Sequence, residues 1–366
     1  MQKFEQESSR VSEALGITFE EIGRAGVVTL SRPTRLNALN QEMFEALSEH
    51  YRRWAPAPQI YGVFMQSSHP TVFSSGGDLK VLHEWLEQGA LGAIKEFYRA
   101  AYTHVWVLDK FIRPNVPLIN GLVLGGGVGI TLHGTHCIAG ECYKFGMPQV
   151  GIGFLPDIGG TYFLPRLLGW TGVYLALTGR IIGPAEAYRQ RLVSHYVPSA
   201  HFGVIKDALR DNHPIDKLLD GLHRDPGEGE LVRHTPLINR VFAASSVESI
   251  LERLDAEKGE HESFARETAA ELRKKSPTSL KVALAQMKRG KSLDLLSALK
   301  LEFRLASHLI ETHDYREGIA ARIAGRGRAP NWQPARLTVV DDQAIERMFD
   351  SPVENELELK ELTPGL

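Results

Sequence analysis

Cysteine is nearly missing from this chain of 366 residues: only Cys137 and Cys142 occur. So few thiols build no disulfide framework, and they fit a reducing cytoplasm. No apolar run is long enough to span a bilayer, so a helical membrane protein is not expected. The stretch from Met1 to Arg10 has no apolar segment behind a basic start, so no secretory leader is expected either. Charge of one sign is also missing. The 42 Lys and Arg stand against 44 Asp and Glu, a net charge of −2, which argues against a general nucleic-acid surface. No Gly-x-Ser-x-Gly occurs, which disfavours the exposed serine nucleophile of α/β-hydrolases.

What the chain has is glycine in clusters. Asn120-Gly-Leu-Val-Leu-Gly-Gly-Gly-Val-Gly runs from an apolar segment through a three-glycine turn into a small-residue helix. Two further turns follow, carrying Gln149 and Asp157. Glycines after a strand let a ligand approach bare backbone, and a helix starting there aims unpaired N–H groups at it. Two such donors suit an oxyanion hole, which stabilises a negative oxygen as it develops. The triple glycine is not a dinucleotide fingerprint, because Leu132 stands where a final Gly or Ala belongs. His133, His136, Cys137 and Cys142 match no zinc spacing, so no metal is expected.

The local pattern predicts a hairpin over Ile17–Ile22 and Val27–Leu30, then a helix from the N-cap Asn40 to about Trp54. Strands are predicted at Gly62–Gln66 and Pro117–Leu124, and helices at Asp78–Leu86 and from Ala93 to about Lys110. Alternating short strands and helices imply an α/β arrangement with both faces of the sheet covered. Beyond Pro198 the pattern turns helical and more charged. The reading divides the chain into a mixed core over 1–200 and a mainly helical region over 201–366.

Four blocks together resemble the crotonase (enoyl-CoA hydratase/isomerase) superfamily. They are Leu30-Ser-Arg-Pro-Thr-Arg-Leu-Asn-Ala-Leu39, Phe73-Ser-Ser-Gly-Gly-Asp-Leu-Lys80, the triple-glycine block, and Met147–Gly160. Within it, Pro-Asp-Ile-Gly-Gly followed by Tyr-Phe-Leu-Pro-Arg is similar to the 3-hydroxyisobutyryl-CoA hydrolase branch, as are the segments at 275–281, 313–318 and 330–334. The resemblance implies a spiral of repeated ββα turns, a helical C-terminal region and an acyl-CoA ligand. CoA then comes as part of the substrate, with no separate cofactor, no nucleic acid and no membrane, and a homo-oligomer is allowed. Gly77 and Gly126 match the two amides of the family's oxyanion hole. Arg35 sits where members place a cation near the CoA phosphates, and Ala38, Ser75, Asp78 and Leu79 fall in the blocks that line the ligand. The basic stretch Arg316, Arg322, Arg326 and Arg328 reads as a solvated face, with the CoA 3′-phosphate as the sharper alternative.

The departures decide the chemistry. Classical hydratases carry two glutamates, at positions that match Gly129 and Gln149 here. The hydrolases keep the second, together with an aspartate that matches Asp157 and a further pocket glutamate that aligns with Ala101. Gln149 has the shape of glutamate but cannot take a proton near neutral pH. Asp157 is then the one carboxylate of these blocks expected beside the reacting atoms, with Gln149 orienting water or an acyl oxygen. The leading expectation is an acyl-CoA thioester hydrolase. The rivals are a hydratase or isomerase using Asp157 alone, and a catalytically weak acyl-CoA-binding protein.

Overall fold

The computed structural model describes residues 15–325 and 327–359. The predicted absence of a leader and Arg326 fall outside the described residues. Strands β1 (Ile17–Ile22) and β2 (Ala25–Leu30) form the antiparallel hairpin, turning at Gly23 with φ +58°. Helix α1 (Gln41–Trp54) follows, capped by Asn40, whose side chain accepts the Met43 N–H at 3.0 Å. Then come β3 (Gly62–Ser67), β4 (Val72–Ser74), α2 (Leu79–Glu87) and α3 (Leu91–Asp109). Next are β5 (Asn115–Ile119), β6 (Leu122–Leu124), α4 (Gly126–Gly129), β7 (Ile138–Ala139), β8 (Lys144–Gly146), α5 (Gly160–Phe163) and β9 (His195–Tyr196).

The chain winds as a spiral. Each turn lays one strand in a six-stranded sheet of order β1-β2-β3-β5-β7-β9 and the next in a three-stranded sheet of order β4-β6-β8. The strand predicted over Pro117–Leu124 is therefore two strands in two sheets, broken at Asn120-Gly121. Gly121 turns this corner against the Thr71 carbonyl, where a Cβ would stand 2.6 Å from the oxygen. The three strands of the small sheet are parallel, so all three end on the same side. Ser75-Gly76-Gly77, Gly125-Gly126 and Met147-Pro148-Gln149 leave those ends in turn.

Beyond β9 the chain is helical, with no further strand among the described residues. Four of its helices matter to the site: α6 (Glu262–Leu272), α7 (Pro277–Gly290), α8 (Leu295–Leu309) and α9 (His313–Ala324). They do not form a separate core. One apolar cluster joins Phe44, Tyr102, Val128 and Phe154 to Leu284, Phe303 and Tyr315.

Candidate active site

A cavity of about 410 Å³ opens where the small sheet's strands end. Its apolar wall includes Phe44, Phe97, Leu124, Phe154 and Ile158, and α3 adds Tyr98 and Ala101. Phe154 stacks on Tyr98 at 4.8 Å between ring centroids, and the Tyr98 hydroxyl meets that of Tyr315 at 2.9 Å. Polar groups come from Gln149 and Asp157 and, in the helical region, from Glu271, Lys275 and Arg322.

Gly77 and Gly126 lie side by side. A Cβ built on Gly126 would stand 3.2 Å from the Gly77 nitrogen. The bridge between Leu39 and Gly77 uses the Gly76 carbonyl and the Asp78 N–H, leaving the Gly77 N–H without an acceptor among the described residues. Gly126 is the first residue of α4, so its N–H has no acceptor within the helix. The turns before them need glycine, because Gly76 has φ +95° and Gly125 φ +44°. Two free N–H groups on the wall of an apolar cavity can donate together to one oxygen.

Asp157 is 4% exposed, and each of its carboxyl oxygens accepts one side-chain hydrogen bond. The Tyr102 hydroxyl donates to Oδ2 at 2.9 Å, and the Gln149 amide donates to Oδ1 at 3.0 Å. Burial pushes its carboxyl up to about 6, and the two hydrogen bonds restrain that rise. Gln149 Oε1 is buried and has no partner. The carboxyl can therefore exchange a proton near neutrality, and the amide oxygen can accept a hydrogen from a ligand or a water.

Of the remaining sequence candidates, Ser75, Leu79 and Ala101 line the cavity. Asp78, Arg35 and Ala38 do not. Asp78 caps α2 and pairs with Arg32 at 3.0 Å, and the Arg32 guanidinium also donates to the Ala38 carbonyl at 2.8 Å. Arg35 is exposed in the last turn of a short 3-10 helix. Among the described residues of the basic stretch, Arg322 alone reaches the cavity wall; Arg316 pairs with Glu87 and Arg328 with Glu317. Among the described residues no group of three metal-ligating side chains forms. His133 contacts the Ile158 carbonyl and His136 pairs with Asp216, while Cys137 is buried and Cys142 exposed.

The sequence model of the enoyl-CoA hydratase/isomerase family matches residues 25–349. The chain belongs to this family. It is 35% identical to the mitochondrial 3-hydroxyisobutyryl-CoA hydrolase of Danio rerio over 353 residues, covering 94% of this chain and 91% of the other. It is 33% identical to the same enzyme of Homo sapiens over 354 residues, covering 94% and 91%. Its fold superposes with a TM-score of 0.88 on a carnitinyl-CoA dehydratase from Mycobacterium thermoresistibile, at 28% identity and covering 94% of this chain and 99% of that one. For an enoyl-CoA hydratase from Rhodobacter sphaeroides the TM-score is 0.85 at 32% identity, covering 92% and 98%. The expected crotonase spiral is thus the fold observed.

Within that fold, Gly129 has no room for a side chain. A Cβ there would stand 1.7 Å from Ile158 Cγ2, so no side chain can be seated at 129 without moving Ile158. Other groups were invisible to sequence reasoning. Tyr102 lies one residue past Ala101 on an ordinary buried helix face, with no motif to mark it. Glu271 and Lys275 pair at 2.5 Å on the cavity wall, though their spacing reads as a common surface i,i+4 pair. Glu302 reads as one more charge in a helical stretch, yet it is 0% exposed.

Proposed function

We propose that this protein hydrolyses acyl-CoA thioesters, with 3-hydroxyisobutyryl-CoA the first substrate to test because the curated relatives carry that name. The observation that carries the reading is Asp157, buried and hydrogen-bonded in the wall of a cavity that the free Gly77 and Gly126 amides also line. The thioester oxygen accepts both amides. Ionised Asp157 takes a proton from water as its oxygen bonds to the carbonyl carbon. The negative charge that appears on the carbonyl oxygen is held by the two N–H groups. The intermediate collapses, the C–S bond breaks, and the departing sulfur receives the proton from Asp157. Gln149 Oε1, free of any partner, accepts a hydrogen from the water and orients it. Ser75, Leu79 and Ala101 shape the ligand cavity, and Lys275 and Arg322 face the anionic CoA. No cofactor is needed beyond the CoA of the substrate. The two thiols, one of them buried, fit a cytoplasmic location. No helix among the described residues is long and apolar enough to cross a membrane.

One observation favours a second reading. With glutamine at 149 and no space at 129, Asp157 is the only one of the three positions with a carboxylate, and moving a proton between carbons needs only one base. The purified protein, offered a panel of acyl-CoA esters, separates the readings. Release of free thiol supports hydrolysis. A change in enoyl absorbance without thiol supports the hydratase or isomerase. Tight binding with neither signal supports an acyl-CoA-binding protein.

A further inference from the structure

The turn that carries Asp157 is held in an unusual shape. Ile158 has φ +60° and Gly159 φ +82°. A β-branched residue takes that left-handed conformation only when its surroundings impose it. The constraint comes largely from the helical region. Glu302 of α8 enters fully buried, its Oε2 accepting the Gly159 N–H at 2.8 Å and its Oε1 the Thr161 N–H at 2.8 Å. Gln286 of α7 donates to the Pro156 carbonyl at 2.8 Å and to the Thr161 hydroxyl at 2.6 Å. His133 Nε2 donates to the Ile158 carbonyl at 2.8 Å. Neither Glu302 nor Gln286 lines the cavity.

A carboxyl is an expensive group to keep there. Burial and the nearby Asp157 carboxyl raise that of Glu302, while the Gly159 and Thr161 N–H groups it accepts favour the ionised form, in which both oxygens are acceptors. The titratable groups around the turn are Asp157, Tyr102 and His133, and none supplies a permanent positive charge. Its one geometric advantage over a neutral side chain is two acceptor oxygens, and the turn presents two N–H groups to it.

We propose that Glu302 is a positioning residue, gripping the Gly159 and Thr161 peptides so that the Asp157 carboxyl keeps its place in the cavity wall. Gln286 is the second grip. The inference rests on the reading of Asp157 as the proton-handling group. A turn released from this hold lets Asp157 drift by a fraction of an ångström, which costs rate without changing the ligand's own contacts.

The test uses the full chain and the acyl-CoA ester that the wild type turns over fastest. Glu302→Gln keeps the volume and removes one of the two acceptors. Its kcat should fall about 10- to 100-fold while KM stays within about twofold. The Gly159 and Thr161 amides should exchange hydrogen at least about tenfold faster than in wild type. Gln286→Met should show the same kcat-only loss at smaller amplitude, and it decides the matter if Glu302→Gln does not fold. Unchanged kcat overturns the proposal, as does a loss shared equally by kcat and KM, or amide exchange at the wild-type rate. A wild type that binds acyl-CoA esters and transforms none overturns the function as well. An active wild type with an indifferent Glu302→Gln overturns the positioning role alone.

Discussion

Removing one hydroxyl at Tyr102 should move the pH dependence of the whole enzyme. Tyr102 is fully buried and donates to Asp157 Oδ2 at 2.9 Å, a bond that favours the ionised carboxylate. Asp157 sits at about 6 because burial raises it and the bonds from Tyr102 and Gln149 hold it down. A hydrogen bond to a charged group is worth about 1.5–3 kcal/mol, and about 1.36 kcal/mol corresponds to one pK unit. Tyr102→Phe keeps the ring and loses the donor, so the Asp157 carboxyl should rise by about one to two units. A base must be ionised to act, so kcat/KM climbs with pH through this value. In the variant the climb shifts upward by the same amount: at pH 6 it should be roughly tenfold slower than wild type, and at pH 9 close to it. Thiol release followed from pH 5 to 9 measures both curves. A midpoint that stays where the wild type has it, or moves to lower pH, refutes the assignment. An equal loss at every pH makes Tyr102 a packing residue only.

Asp157→Asn should cut kcat about 10²- to 10⁴-fold, as expected for losing the acid–base group, with binding of a CoA ester retained by calorimetry. The same variant should be more stable than wild type above pH 6. The folded carboxyl titrates at about 6 against an ordinary 3.8, so the native state holds a proton that the unfolded chain has lost. Stability therefore falls as pH rises between those values, and asparagine escapes a cost on the order of 3 kcal/mol. A Tm at pH 8 no higher than that of wild type contradicts this. Gln149→Glu should raise hydrolysis of hydroxyacyl-CoA esters if the missing carboxylate limits the rate, and no gain means that the pocket has diverged elsewhere. Arg322→Ala should raise KM for CoA esters about three- to tenfold at unchanged kcat, while the same variant should leave binding of uncharged acyl thioesters untouched.

Backbone chemistry was easy to read in this sequence. The glycine blocks, the Asn40 cap and the β1–β2 hairpin all follow from local rules, and each stands where those rules put it. The α/β core and its helical continuation were legible for the same reason. The corner at Asn120-Gly121 was not, because an apolar run on both sides of one glycine looks continuous until a second sheet exists to receive its far half. Arg35 was conspicuous as a cation beside a motif, but the sequence did not show that a one-turn helix leaves it exposed and off the cavity wall. Tyr102 and Glu302 were hidden because their meaning comes from partners 55 and 143 residues away, and no spacing along one helix encodes such a meeting.

The three turns that leave the small sheet have a consequence for how this site can change over time. The first two present peptide N–H groups, which no ordinary substitution can delete. The third presents side chains, at Gln149 and soon after at Asp157. Mutation can therefore revise the reaction on one rung while the means of holding a reactive oxygen persists on the other two. A chain built this way can change its chemistry more readily than its grip.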